Sequence, residues 1–136
     1  MKVVLDTNVI IASFAARGLC QAVFELCLDR FEIIISPFLI AEVETNLLKK
    51  LKLPPVLIKE ITGFLTGNAS TMEIDTVPQG VCKDSDDARI LALARKSEAA
   101  YLITGDKELL AIKKFGSSKI LSPRQLWEAV KKNNEF

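Results

Sequence analysis

The run Lys2-Val3-Val4-Leu5-Asp6 decides the fold. Three consecutive apolar residues stop at a carboxylate, the pattern of a buried strand whose carboxyl end meets solvent. The pattern returns in Glu32-Ile33-Ile34-Ile35-Ser36 and in Ala100-Tyr101-Leu102-Ile103-Thr104. Helical patterns lie between these runs. Over residues 18–29, Leu19, Ala22, Val23, Leu26 and Cys27 fall at the spacing of one helix face. Ser36-Pro37, an N-cap followed by proline at the first helical position, opens a helix that carries Leu39, Ile40, Val43 and Leu47 on one stripe and ends in Lys49-Lys50. A second helix is expected over residues 56–64, broken by Gly67-Asn68, and a weakly alternating edge strand over residues 71–77. Asp84-Ser85-Asp86-Asp87 introduces a helix over residues 88–94, and residues 106–114 form a shorter one. A last strand over residues 119–121 leads through Ser122-Pro123 into a final helix ending at Lys131. Short strands, apolar on both faces and alternating with helices, imply a parallel sheet covered by helices on both sides.

The chain has 136 residues, 49% of them apolar and 26% charged, which fits a single domain. A domain of this size buries roughly 68 to 70% of the surface its unfolded chain exposes and folds without staples. Its three cysteines, Cys20, Cys27 and Cys82, are read as free thiols. There is no histidine, which excludes Ser-His-Asp and Cys-His nucleophiles and every imidazole metal site. No apolar run approaches the roughly eighteen residues of a membrane span, so the expectation is a soluble, cytoplasmic protein without membrane contact. The net charge is +1 but unevenly spread: residues 1–106 carry 11 basic against 14 acidic residues, and residues 107–136 carry seven against three.

In parallel sheets ligands bind at the carboxyl ends of strands, where strand order reverses. Asp6 ends the first strand, and Asp106 follows Thr104 by two residues at the end of the fourth. Asp87 precedes Ile90, Leu91 and Ala94 by three, four and seven positions and so shares the face packed on the sheet, whereas Asp86 is rotated from it by about 100°. Glu42, between Leu39 and Val43, is long enough to reach the same rim. Each acid also has a simpler reading: Asp84 and Asp86 as capping and helix-dipole residues, Asp106 as a cap, Glu42 as a solvated helix residue. Asp6 resists one, because a carboxylate closing so apolar a strand is costly unless it binds something. Carboxylates converging in a partly dry cleft need a counter-charge, and an oxygen-only ligand set suits Mg²⁺ or Mn²⁺. Such an ion activates water and polarises a phosphate, the chemistry of phosphodiester hydrolysis.

The opening Val3-Val4-Leu5-Asp6-Thr7-Asn8-Val9-Ile10-Ile11, the Ser-Pro-Phe-Leu-Ile-Ala-Glu segment of residues 36–42, the stretch of residues 84–94 and the segment of residues 101–110 together resemble the motifs of the PIN domain family in order and spacing. The resemblance covers essentially the whole chain. It implies a three-layer α/β/α fold with a parallel sheet of about five strands, and a Mg²⁺- or Mn²⁺-dependent endoribonuclease acting on single-stranded RNA. The stand-alone group it resembles comprises toxin components of toxin–antitoxin systems. The resemblance implies a catalytic tetrad of Asp6, Glu42, Asp87 and Asp106. Asp6, Asp87 and Asp106 would hold metal, Glu42 would position or deprotonate the attacking water, and Asn8 and Thr104 would steady carboxylates or waters. Asp84 or Asp86 could take part of the role given to Asp87. An antitoxin occupying the acidic cleft and a homodimer are further implications, and the basic C-terminal residues would hold the phosphate backbone. No aromatic stacking platform is legible: Tyr101 falls in a strand and Trp127 on the core face of the last helix.

Two other readings compete. A haloacid-dehalogenase-like phosphohydrolase also ends its first strand in aspartate, but it needs a second carboxylate two residues on, where this chain has Asn8. A module that keeps the fold and grips nucleic acid or protein without turnover is the non-enzymatic alternative.

Overall fold

In the computed structural model, which describes residues 1–75, 80 and 84–132, strand β1 (Lys2–Leu5) lies at the centre of the sheet. Val3, Val4 and Leu5 are wholly buried, as a strand covered on both faces requires. Helices α1 (Thr7–Ala15) and α2 (Leu19–Arg30) lead to β2 (Glu32–Ile35), and α3 (Pro37–Lys49) and α4 (Pro55–Gly67) lead to β3 (Ser70–Thr71). Helix α5 (Ser85–Ser97) carries the chain to β4 (Tyr101–Ile103). Helix α6 (Lys107–Ile112), β5 (Lys114–Phe115), β6 (Ser118–Leu121) and α7 (Pro123–Lys132) complete the order.

The strands run β3-β2-β1-β4-β6-β5. Five are parallel, as expected, and the sixth, β5, is an antiparallel addition paired with β6. Helix α5 packs on β1, β4 and β5, while α1, α2, α3, α4 and α7 contact one another in succession as the opposite layer. The core joins the strands to the buried stripes of the helices, among them Ile10, Leu39, Leu47, Leu91 and Leu93.

Three details differ from the reading of the sequence. Residues 7–15 form a helix, although Val9, Ile10 and Ile11 are β-branched; all three are buried, so the segment lacks a polar face to mark its period. The edge strand expected over residues 71–77 is a two-residue bridge at Ser70–Thr71; residues 76 and 77 lie outside the described residues, as does Cys82. Strand β5 is the third, a two-residue arm turned back on β6 at Gly116, whose φ of +59° is where glycine is favoured. Cys20 and Cys27 are free, and burial pushes the Cys27 thiol up to about 12, leaving it unreactive. Among the described residues no single helix is long and apolar enough to cross a membrane.

Candidate active site

Strand order reverses between β1 and β4: the chain leaves β1 for β2 and β3, then returns to β4 on the other side. The crevice favoured for ligands in such sheets therefore opens above these two strands. Leu5 is level with Ile103, so Asp6 and Thr104 stand side by side at the rim. The Asp6 amide donates to the Ile103 carbonyl at 2.9 Å, which ties the start of α1 to the end of β4. The buried Thr104 hydroxyl donates to Asp6 Oδ2 at 2.7 Å and accepts the Asp106 N–H at 3.0 Å, so one side chain sets the spacing of two acids.

A cleft of about 270 Å³ is lined by the acids Asp6, Glu42, Asp84, Asp86, Asp87 and Asp106 together with Thr7, Asn8, Asn46 and Lys50. Asp106 is also the N-cap of α6, accepting the Glu108 N–H at 2.8 Å. Asp84 caps α5, accepting the Asp86 N–H at 2.7 Å, and still faces the cleft. Both acids thus cap a helix and line the cleft at the same time. Asp87, in the first turn of α5, is 9% exposed. Glu42 projects from α3 and accepts the Thr7 hydroxyl at 3.3 Å.

The electrostatics follow from this crowding. Burial raises the Asp6 carboxyl above its ordinary value, opposed by the Thr104 hydroxyl and the Thr7 amide and aided by the charges of Asp106 and Asp84. Burial, then the charge and hydrogen bond of Asp106, push Asp87 up to about 7. Burial, then the charge and hydrogen bond of Asp86, push Glu42 to about 7 as well. The acids are close in pairs, Asp87 with Asp106 and Glu42 with Asp86. Among the described residues no three are gathered tightly enough to hold an ion as they stand. The donor set nevertheless fits one: it is all oxygen, arranged on separate elements around one cleft, and strained by its own negative charge.

The structure changes the picture drawn from the sequence in several places. Asp86, rotated from Asp87 on α5, is met from the side by Glu42 of α3 and so lines the same cleft. The acids are not without cations: Lys50 lines the cleft, and Arg89 pairs with Asp86 at its edge. Asn8 reaches the cleft on an exposed turn, but of the two neighbours it is Thr7 that bonds a cleft carboxylate, that of Glu42. Thr7, Asn46 and Lys50 were missed, although Glu42, Asn46 and Lys50 recur every four residues along α3 and its C-cap, a spacing that puts them on one stripe. The C-terminal basic residues are divided: Lys107 opens α6 at the rim, whereas Lys114 and Lys119 pair at the level of Tyr101, at the opposite end of the sheet.

A family model described as PIN domain matches residues 2–108. The chain belongs to the PIN domain family. No curated protein sequence matches it, but solved structures share the PIN architecture. VapBC2 from Rickettsia felis, bound to a DNA fragment from their promoter, superimposes with a TM-score of 0.66 at 14% identity, covering 90% of this chain and 98% of that one. PAE2754 from Pyrobaculum aerophilum gives 0.68 at 17% identity, with 97% and 96% covered. VapC20 of Mycobacterium tuberculosis, a Sarcin-Ricin loop cleaving toxin, gives 0.63 at 14% identity, with 86% and 98% covered. At these identities the likeness establishes the PIN fold, including its mostly parallel sheet.

Proposed function

We propose that this PIN domain is a Mg²⁺- or Mn²⁺-dependent endoribonuclease that hydrolyses single-stranded RNA, and the toxin of a toxin–antitoxin pair. The observation that carries the reading is the cleft at the strand-order switch, where six carboxylates from the starts and faces of separate helices surround one small volume. Asp6, Asp87 and Asp106 would hold the ion. When bound, it supplies positive charge to a phosphate and acidifies an attacking water. Glu42, raised to about 7, is suited to take the proton from that water near neutral pH. Thr104 fixes Asp6 relative to Asp106, and Thr7 orients Glu42. Lys50 gives an incoming phosphate a cation beside the acids. The likeness to VapC20 supports the toxin reading. An antitoxin would block the cleft by offering Arg or Lys to its acids, and a homodimer is proposed by family analogy.

The test is cleavage of labelled single-stranded RNA, hairpin RNA and DNA by the wild-type protein and by Asp6→Asn, with Mg²⁺, Mn²⁺ or EDTA. Metal-dependent cleavage of the single-stranded RNA that vanishes in Asp6→Asn is the expected result. Silence of the wild type on every substrate, with no metal affinity that depends on Asp6, would replace the enzyme by a binding module.

A further inference from the structure

Arg89 on α5 makes two contacts at once. Its guanidinium pairs with the Asp86 carboxylate, and its Cζ lies over the Phe38 ring, 5.3 Å from the centroid. Carboxylate and ring together fix a flexible side chain, so that ring and guanidinium form one wall. Phe38 is half-buried in the first turn of α3, placed there by the same Ser36-Pro37 start that sets Glu42 one turn later. Phe38 and Arg89 bound a hollow of about 360 Å³ whose other lining includes Glu42, Asn46 and Asp86. Those three residues also line the acidic cleft. The hollow therefore continues the cleft, adding an aromatic ring and a guanidinium to the two carboxylates, Glu42 and Asp86, that both share.

Resting on the nuclease reading, we propose that the Phe38–Arg89 wall is a nucleobase subsite, on which the base next to the scissile phosphate stacks while its phosphate lies in the cleft. A ring bearing a planar cation meets any base by its π-face, so the contact is indifferent to sequence. It is not indifferent to pairing, because a duplex can present that face only by unstacking and unpairing the base. Selection for an unpaired nucleotide is thereby assigned to two side chains outside the acidic tetrad. The volume falls in the range of ordinary ligand pockets, about 300 to 1,000 Å³. The guanidinium also adds positive charge along the path of the strand.

The experiment titrates a short single-stranded RNA carrying one 2-aminopurine, whose fluorescence is quenched on stacking, into the Asp6→Asn protein. Quenching is expected, with Kd raised about tenfold by Phe38→Leu, as befits a stacking contact worth about 1–3 kcal/mol per base. Arg89→Lys should weaken binding in the same direction, Phe38→Trp should retain it, and a strand abasic at that position should bind the protein with and without the ring equally. Circular dichroism and melting establish that each variant is folded; if Phe38→Leu is not, Arg89→Lys and the abasic strand decide. Absence of quenching, or affinities within about twofold across these folded variants and strands, overturns the subsite. A wild type that cleaves nothing while quenching still depends on Phe38 sinks the nuclease reading and leaves the subsite standing. Cleavage whose KM ignores Phe38→Leu does the reverse.

Discussion

Thr104→Val removes one hydroxyl and keeps the shape of a fully buried side chain, so no cavity opens. What disappears is the 2.7 Å bond to Asp6 Oδ2 and the acceptor for the Asp106 N–H. A hydrogen bond to a charged group is worth about 1.5–3 kcal/mol. The Asp106 amide belongs to a half-exposed residue, where water substitutes, so its share is small. About 2 kcal/mol is therefore expected at pH 8. For 136 residues at about 2.1 cal/mol/K each, that is a fall in Tm of about 7 °C. The Thr104 bond lowers the Asp6 pKa, so valine drives it further up, and the penalty shrinks as acid protonates the carboxylate. Thr104→Ser keeps the hydroxyl and loses only a methyl, a pH-independent cost of about 1 kcal/mol. The assay is urea unfolding followed by circular dichroism at pH 5 and pH 8, for both variants in the wild-type and Asp6→Asn backgrounds. A coupling of about 1 kcal/mol or more between loss of the Thr104 hydroxyl and loss of the Asp6 carboxyl is expected at pH 8. A valine cost under about 0.5 kcal/mol, or one equal in both backgrounds, would refute the claim that this hydroxyl holds the carboxylate.

Glu42 and Asp87 titrate at about 7 in the folded chain and near 4 when unfolded, so the folded state holds more protons between those values. Their contribution to the stability of the metal-free protein is therefore best at the acid end, falls as pH rises from about 4 to about 7, and is flat above. Melting curves in EDTA check this: Glu42→Gln and Asp87→Asn should each flatten the slope, and Mn²⁺ at pH 8 should raise Tm. Charge reversal at Lys114 or Lys119 should change RNA affinity by less than about twofold, while Lys50→Glu should cost about tenfold or more, measured by salt-controlled titration. Glu98 ends α5 with φ at +55°, so Glu98→Gly should raise stability by about 0.5–1 kcal/mol in thermal melts.

Asp6 and Asp106 can be placed from the sequence because the strands they follow are apolar on both faces and so announce where they stop. Glu42 and Asp87 can be placed as neighbours of buried stripes on their own helices, but their convergence on one cleft comes only with the family resemblance. Helix α1 is hidden because its outer positions, Ala12 and Ala15, are apolar like its buried ones, which erases the contrast that periodicity needs. An argument confined to α5 turns Asp86 away from the site; what brings it into the cleft is α3 approaching from outside that helix. The Arg89–Asp86 pair is within reach of helix spacing, being three residues apart, whereas the Phe38 contact joins elements 51 positions apart and is written in no local pattern.

The two outer strands, β3 and β5, are each two residues long, and the latter begins with a lysine. A strand this short offers an approaching chain almost no row of unpaired amides to copy, so the sheet is closed to lengthening by strand addition at both margins. Such blunting shields the four parallel strands between them, rich in valine and isoleucine, from becoming a template for aggregation. It also directs encounters with other chains to helical surfaces, where α3 and α4 leave Leu48, Val56 and Phe64 in water.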